Sequence, residues 1–167
     1  YKGVDDLLRA LVQVPAARLT VVGDGPMRDE WEALTRQLGL ADRVTFTGQV
    51  PDDELRARYA AADLFVLPAN ARAEAFGTVL LEAMAAGLPC ITTEVGTGTS
   101  WVVQHGVTGL VVPPRNPQAL AEAVRQLLAN PEACQRMGQQ GQQRARQEFS
   151  QQRMVQRVME LYQAVLA

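Results

Sequence analysis

Two cysteines and one histidine are all the soft-metal and redox chemistry that these 167 residues carry. Cys90 and Cys134 lie far apart and match no metal-ligand spacing. His105 stands alone before Gly106, as a turn residue does. No metal site is therefore expected, and both cysteines read as reduced and structural, with Cys90 a small apolar residue in a strand. Long apolar runs are missing too. None approaches the roughly 18 residues of a membrane span, and Tyr1-Lys2-Gly3-Val4-Asp5-Asp6 lacks the shape of a signal peptide. The default expectation is a cytoplasmic protein. Neither sign of charge dominates, with 16 Lys and Arg against 18 Asp and Glu, so there is no electrostatic footprint for nucleic acid. Arg and Gln crowd residues Gln135 to Arg157, but acids are interspersed there, as on a solvated helix face. A hydrophobic content of 47% is enough for one full core, and no linker or repeat divides the chain, so residues 1–167 read as one domain.

What is present is an alternation of short apolar runs with helical patterns. Val4, Leu7, Leu8 and Leu11 recur at helical spacing before Pro15, and Leu19 to Val22 reads as a buried strand ending at Gly23. A helix over about Met27 to Leu38 follows, then a strand Val44 to Thr47, a helix Asp53 to Ala62 opened by Pro51 or Asp52, and a strand Asp63 to Leu67. Thr78 to Ala86 is helical, Cys90 to Thr92 and Gly109 to Val112 are strands, and three helices follow, started by Asn116-Pro117, Asn130-Pro131 and Ser150. The last carries Met154, Val158, Leu161 and Val165 as an apolar stripe. This is the pattern of an α/β, Rossmann-like, doubly wound parallel sheet with helices on both faces and a helical C-terminal tail.

Such sheets bind ligands beyond the carboxyl ends of their strands. Three features fall there: Gly23-Asp24-Gly25-Pro26, Thr47-Gly48-Gln49-Val50, and the loop Glu74-Ala75-Phe76-Gly77. Singly, the first is a turn before a helix and Gly48 a strand-end glycine; together they point to a nucleotide crevice. The third is the most informative. Gly77 sits at the mouth of the Thr78 helix, where free N–H groups and the positive end of the macrodipole attract an anion. Glu82 lies about 6 Å along the axis, on the same face as Thr78, and is the only charge in the helix. A phosphate at the mouth with ribose hydroxyls on Glu82 suits this spacing, and Glu74 could take hydroxyls on the phosphate's other side. Spacing alone is equally met by a solvent-facing helix residue and an ordinary loop acid.

The segment Glu74 to Pro89 resembles the donor signature of the retaining nucleotide-sugar glycosyltransferases of GT-B type, glycosyltransferase family 4 or group 1: a Glu, seven residues, a second Glu. Gly23-Asp24-Gly25-Pro26, Phe46-Thr47-Gly48, Ala61-Ala62-Asp63 through Pro68, and Gly106 through Pro114 are similar to the C-terminal half of the same family, so the likeness covers nearly the whole chain. The resemblance implies that the backbone around Gly48 to Val50 meets the base, Glu82 the ribose, the Thr78 and Val79 N–H groups the diphosphate, and Glu74, Phe76 and Gly77 the transferred sugar. Lys2, before Gly3, matches the family's phosphate-binding lysine. No cofactor is implied, because the nucleoside-diphosphate sugar is itself the substrate. The implied partner is an N-terminal acceptor-binding domain of the same parent enzyme, and peripheral membrane association of that parent is left open.

Two departures accompany the likeness. The family's arginine and first strand, which precede the lysine, are not in this chain, so it reads as a fragment with an open slot between the strands holding Val21 and Phe65. Val95 to Trp101 also replaces a more usual Gly-Gly and Pro-Glu helix start, and no role is assigned to it. Three other readings compete. An oxidoreductase would need Gly-x-Gly-x-x-Gly, and Arg28 stands at the third glycine. A glycosidase also uses two carboxylates, but a helix N-terminus favours their ionised forms, which suits a general acid poorly. A noncatalytic nucleotide-sugar binding module shares every feature of the donor side.

Overall fold

The computed structural model describes residues 1–166. In chain order the elements are α1 (Val4–Val12), β1 (Leu19–Val22), α2 (Arg28–Gln37), β2 (Val44–Gly48), α3 (Asp52–Ala61), β3 (Phe65–Leu67) and α4 (Thr78–Ala85). They continue with β4 (Cys90–Thr93), α5 (Thr99–Val102), β5 (Gly109–Val112), α6 (Pro117–Leu128), α7 (Pro131–Glu148) and α8 (Gln151–Leu166). The alternation is as expected, with ends moved by one or two residues. The helix α5 was not anticipated. Asn116 and Asn130 accept from the N–H of Ala119 and Ala133, and Ser150 from that of Arg153, so all three expected caps form.

All strand pairing is parallel, in two separate sheets: β1 with β2, and β3-β4-β5. Among the described residues no ladder joins β1 to β3, which is the open slot expected between Val21 and Phe65. The parallel sheet is thus divided at that slot. One apolar core nonetheless spans both halves. Leu8 and Leu11 of α1 and Leu120 and Leu127 of α6 pack with Val44, Ile91 and Leu110, with Val21 and Val66 at its margin. A second core on the other face of β3-β4-β5 joins Leu67 and Cys90 to Leu80, Ala83 and Met84 of α4 and to Ala145 of α7. The middle strand β4 is wholly buried. Its threonines satisfy their hydroxyls by donating to backbone carbonyls, Thr92 to Leu67 at 3.2 Å and Thr93 to Ala69.

The cysteines are free. Burial pushes the Cys90 thiol up to about 12, so it behaves as the apolar residue expected. His105, expected in a turn, forms an isolated bridge with Gly109 just before the turn at residues 106–108, and its Nδ1 accepts from the Val111 N–H at 3.0 Å. In α8 the apolar stripe is real but uncovered, and no residue of that helix is buried. No helix among the described residues is long and apolar enough to cross a membrane.

The placement of α4 depends on α7. Gln142 donates to the Ala85 carbonyl at 2.9 Å, and Gly138 lets α7 ride directly over the turn at Gly87, where a Cβ would stand 1.9 Å from the Gly87 oxygen. Alanine normally gains about 1 kcal/mol over glycine in a helix, but overpacking against rigid backbone costs roughly 1–3 kcal/mol or more. Gly138→Ala should therefore lower the unfolding free energy by about 1–2 kcal/mol in a urea titration. Gly141→Ala, whose nearest neighbour is the flexible Met84 side chain at 3.3 Å, should stay within about 1 kcal/mol of neutral.

Candidate functional site

The site is built around the start of α4. Gly77 takes a left-handed conformation, φ 78° and ψ 59°, and a Cβ there would lie 2.9 Å from the side chains of both Leu67 and Leu80. Only glycine satisfies both conditions at little cost. The chain thereby turns from the end of β3 into a helix with no side-chain cap, leaving the first N–H groups, those of Thr78 and Val79, directed at the mouth. Successive residues step 100° around a helix. Leu80, Ala83 and Met84 consequently face the core, while Thr78 and Glu82 are exposed on the opposite side, as their spacing predicts.

On one flank of the mouth Lys2 Nζ lies 2.5 Å from Glu74 Oε2. Backbone contacts bring them together: Tyr1 O accepts from Asn70 N–H at 2.9 Å, and Gly3 fits so closely on the Pro68 carbonyl that a Cβ would clash with it. Lys2 is half exposed while Glu74 is buried. Half-exposed pairs contribute at most about 1 kcal/mol, so the bond serves to orient Glu74 more than to stabilise the fold. The expected roles of these two residues were separate; the structure makes them each other's partner.

Five residues outside the expected site hold the Glu74 loop. Thr97 Oγ1 donates to the Glu74 carbonyl at 2.7 Å, and Gly98 N–H to that of Ala75 at 2.8 Å. Gly98 also has no room for a side chain, because Phe76 Cδ2 would lie 2.9 Å from its Cβ. The ring of Phe76 is turned toward Trp101 and Phe149, with centroids 6.3 and 6.1 Å away, so its side chain packs in an aromatic cluster. Arg144 of α7 locks this cluster by donating to the carbonyls of Trp101 and Val102 while lying over both Trp101 and Phe149. The segment Val95 to Trp101, which carried no assignment, is the loop's support, and one arginine of the Arg/Gln-rich tract is fixed in it rather than merely solvated.

On the other flank, α3 and α4 enclose an open groove of about 530 Å³ lined by Asp52, Leu55, Arg56, Tyr59, Glu82 and Ala85, among others. Tyr59, unremarked in the sequence, donates its hydroxyl to Glu82 Oε2 at 3.1 Å. Burial, then the charge of Glu82, pushes the phenol well above its ordinary range, so it remains a donor. The loop Gly48 to Val50 leads through Pro51 directly into this helix. Gly23 N–H donates to Gly48 O at 2.9 Å, which brings the first two glycine turns together, and Arg28 lies against Gly48 with its Nε bonded to Glu32 at 2.9 Å. Gly25 is exposed, its N–H donates to Asp24 Oδ1 at 2.8 Å, and a Cβ there would meet nothing within 4 Å. Among the described residues no hydrogen bond joins these turns to the Glu74 loop; they stand at strand ends of different sheets.

A family model described as glycosyl transferases group 1 matches residues 1–144. The chain belongs to that family. It is 42% identical over 150 residues to D-rhamnosyltransferase WbpZ of Pseudomonas aeruginosa, covering 90% of this chain and 39% of that protein. Sucrose-phosphate synthase from Thermosynechococcus elongatus is 35% identical with a TM-score of 0.89, covering 99% of this chain and 42% of that one. Anabaena HepE in complex with UDP-glucose is 29% identical with a TM-score of 0.88, covering 98% and 46%. The chain thus spans less than half the length of these relatives, and its fold is that of the GT-B glycosyltransferases.

The loop's anchor is open to a direct check. Thr97→Val keeps the volume and removes the bond to Glu74 O, which should cost about 1 kcal/mol of stability. Amide exchange at Phe76 and Gly98 should rise with it. Unchanged exchange would mean that the loop is held by the aromatic cluster alone.

Proposed function

We propose that this chain is the donor-binding half of a retaining glycosyltransferase that moves a hexose from a nucleoside diphosphate to an acceptor hydroxyl, in polysaccharide or glycolipid assembly. The carrying observation is the uncapped mouth of α4, flanked by the Lys2–Glu74 pair on one side and exposed Glu82 on the other. The diphosphate would bind at the mouth, the ribose at Glu82 and the base near Gly48 to Val50. Relatives support the class of donor, since HepE is complexed with UDP-glucose.

In this reading the bond between the sugar's anomeric carbon and the β-phosphate oxygen breaks while the acceptor oxygen bonds to that carbon, negative charge grows on the departing diphosphate, and the acceptor's proton passes to it. The N–H groups of Thr78 and Val79 meet that charge from positions set before the reaction, and the Lys2 ammonium joins them once the donor is bound. As Lys2 turns to phosphate it releases Glu74, whose carboxylate is then free to accept from sugar hydroxyls. Neither Glu74 nor Glu82 is assigned as a covalent nucleophile. The acceptor belongs to the N-terminal half of the parent, and two free cysteines suit a reducing, cytoplasmic setting. A noncatalytic nucleotide-sugar module is the second reading, and detecting turnover by the full-length parent would discriminate the two.

Two measurements test the reading. A thermal-shift panel of UDP, GDP, ADP and their sugars should raise the midpoint for at least one, because only a ligand that prefers the native state does so. Glu82→Ala should then weaken that ligand by about 10- to 150-fold, the equivalent of roughly 1.5–3 kcal/mol, without unfolding the chain. Equal affinity would return Glu82 to an ordinary surface acid. The chain by itself should transfer no sugar to lipid-linked or soluble glycan acceptors, since aligning two reactants supplies about 7–11 kcal/mol of the barrier. Product found by mass spectrometry would contradict the division of labour.

A further inference from the structure

An exposed glutamate on a helix is a poor recognition group unless something limits its rotamers. Glu82 is such a residue, and among the described residues it makes no salt bridge: Arg56 shares the groove but does not pair with it. Its one side-chain partner is Tyr59, which reaches it across 23 positions of sequence to donate to Oε2 at 3.1 Å, leaving Oε1 without a side-chain partner.

Tyr59 is well placed to impose an orientation. It is half-buried, the only aromatic residue of α3, and its ring packs on Phe65 of β3 at a centroid distance of 5.8 Å and an interplanar angle of 55°. A ring fixed by the core presents its hydroxyl at a fixed point, whereas a Lys or Arg on the same surface would carry its own rotamer freedom. The donor is neutral. A cation here would compete with ribose hydroxyls for both carboxylate oxygens and draw Glu82 away from them; a phenol takes one lone pair and leaves the others. Because burial and the nearby carboxylate hold the phenol protonated, the bond is available throughout the neutral range.

We propose that Tyr59 is a positioning residue for nucleotide recognition: its hydroxyl holds Glu82 Oε2 so that Oε1 is presented to the ribose 2′- and 3′-hydroxyls. The inference rests on the assignment of Glu82 to the ribose given above and extends it to a residue that makes no ligand contact of its own. It also predicts where the effect is felt. Losing the phenol should weaken binding of the ribose and leave the diphosphate and base contacts untouched.

The test is a comparison of two ligands on four proteins. UDP and 2′,3′-dideoxy-UDP, with GDP and its dideoxy form as the alternative pair, are titrated by calorimetry into the full chain and its Tyr59→Phe, Glu82→Gln and doubly substituted variants. The phenyl ring preserves the contact with Phe65, and an unchanged thermal midpoint verifies that. Tyr59→Phe should reduce affinity for the ribonucleotide about 3- to 10-fold, the span expected for one hydrogen bond, and leave the dideoxynucleotide unaffected. In the Glu82→Gln background the same substitution should have no further effect on ribose preference. A ribose preference that survives Tyr59→Phe intact would overturn the proposal, as would equal weakening of both ligands, which marks a merely structural role. Equal binding of both ligands by the unsubstituted chain would instead remove the ribose assignment itself, and the proposal with it.

Discussion

The turn at Gly77 is the constraint on which the rest of the site depends. It redirects the chain from the end of β3 into α4 within a space that both Leu67 and Leu80 press upon. Once α4 starts there, its orientation is settled by burial: Leu80, Ala83 and Met84 are fully enclosed, and burying Leu80 and Met84 contributes roughly 1.5–3 kcal/mol apiece. The opposite face has no such demand. Thr78 and Glu82 are exposed because the helix period puts them there, so the same packing that stabilises the fold sets the exposed face of the helix.

Around this helix the supports come from distant parts of the chain, and they differ in kind on its two flanks. The Glu74 loop is held by backbone acceptors and an aromatic cluster: Thr97, Gly98, Phe76, Trp101 and Phe149, tied to α7 through Arg144. The groove flank is held by one phenol. The first flank must keep a buried carboxylate in place whether or not Lys2 is bonded to it, so a rigid cradle fits its task. On the second flank Glu82 lies at the surface, where a single directional bond can orient it without burying it.

The legibility of these features follows from the range of the interactions behind them. Asn116, Asn130 and Ser150 were readable as caps because a cap is decided within about three residues. The Thr78 helix and its exposed Glu82 were readable because periodicity is local. The strand before Pro68 was read from Asp63, two residues before β3 begins, since the paired residues are set by the partner β4, with Phe65 opposite Cys90. The helix α5 was missed because four residues in a glycine-rich run carry no periodic signal. Tyr59 was missed for a plainer reason: its partner is 23 positions away, and nothing in the pattern of α3 distinguishes its phenol from a core aromatic. The stripe on α8 was visible, yet its exposure was not, because amphipathicity states that a face is apolar without stating what covers it.

The environments of the two carboxylates bear on which chemistry the site favours. A glycosidase assigns one carboxyl the task of general acid, which requires an apolar setting that keeps its proton, as a pair with divergent surroundings can provide. Here Glu74, though buried, meets an ammonium group, and Glu82 is exposed and accepts a hydrogen bond from a phenol. Both partners are donors, suited to carboxylates acting as acceptors. In the proposed function each would read hydroxyls, with the electrophilic assistance supplied by Lys2 and the mouth of α4. That division, acceptors for the sugars and donors for the phosphates, is the one a nucleoside-diphosphate sugar presents.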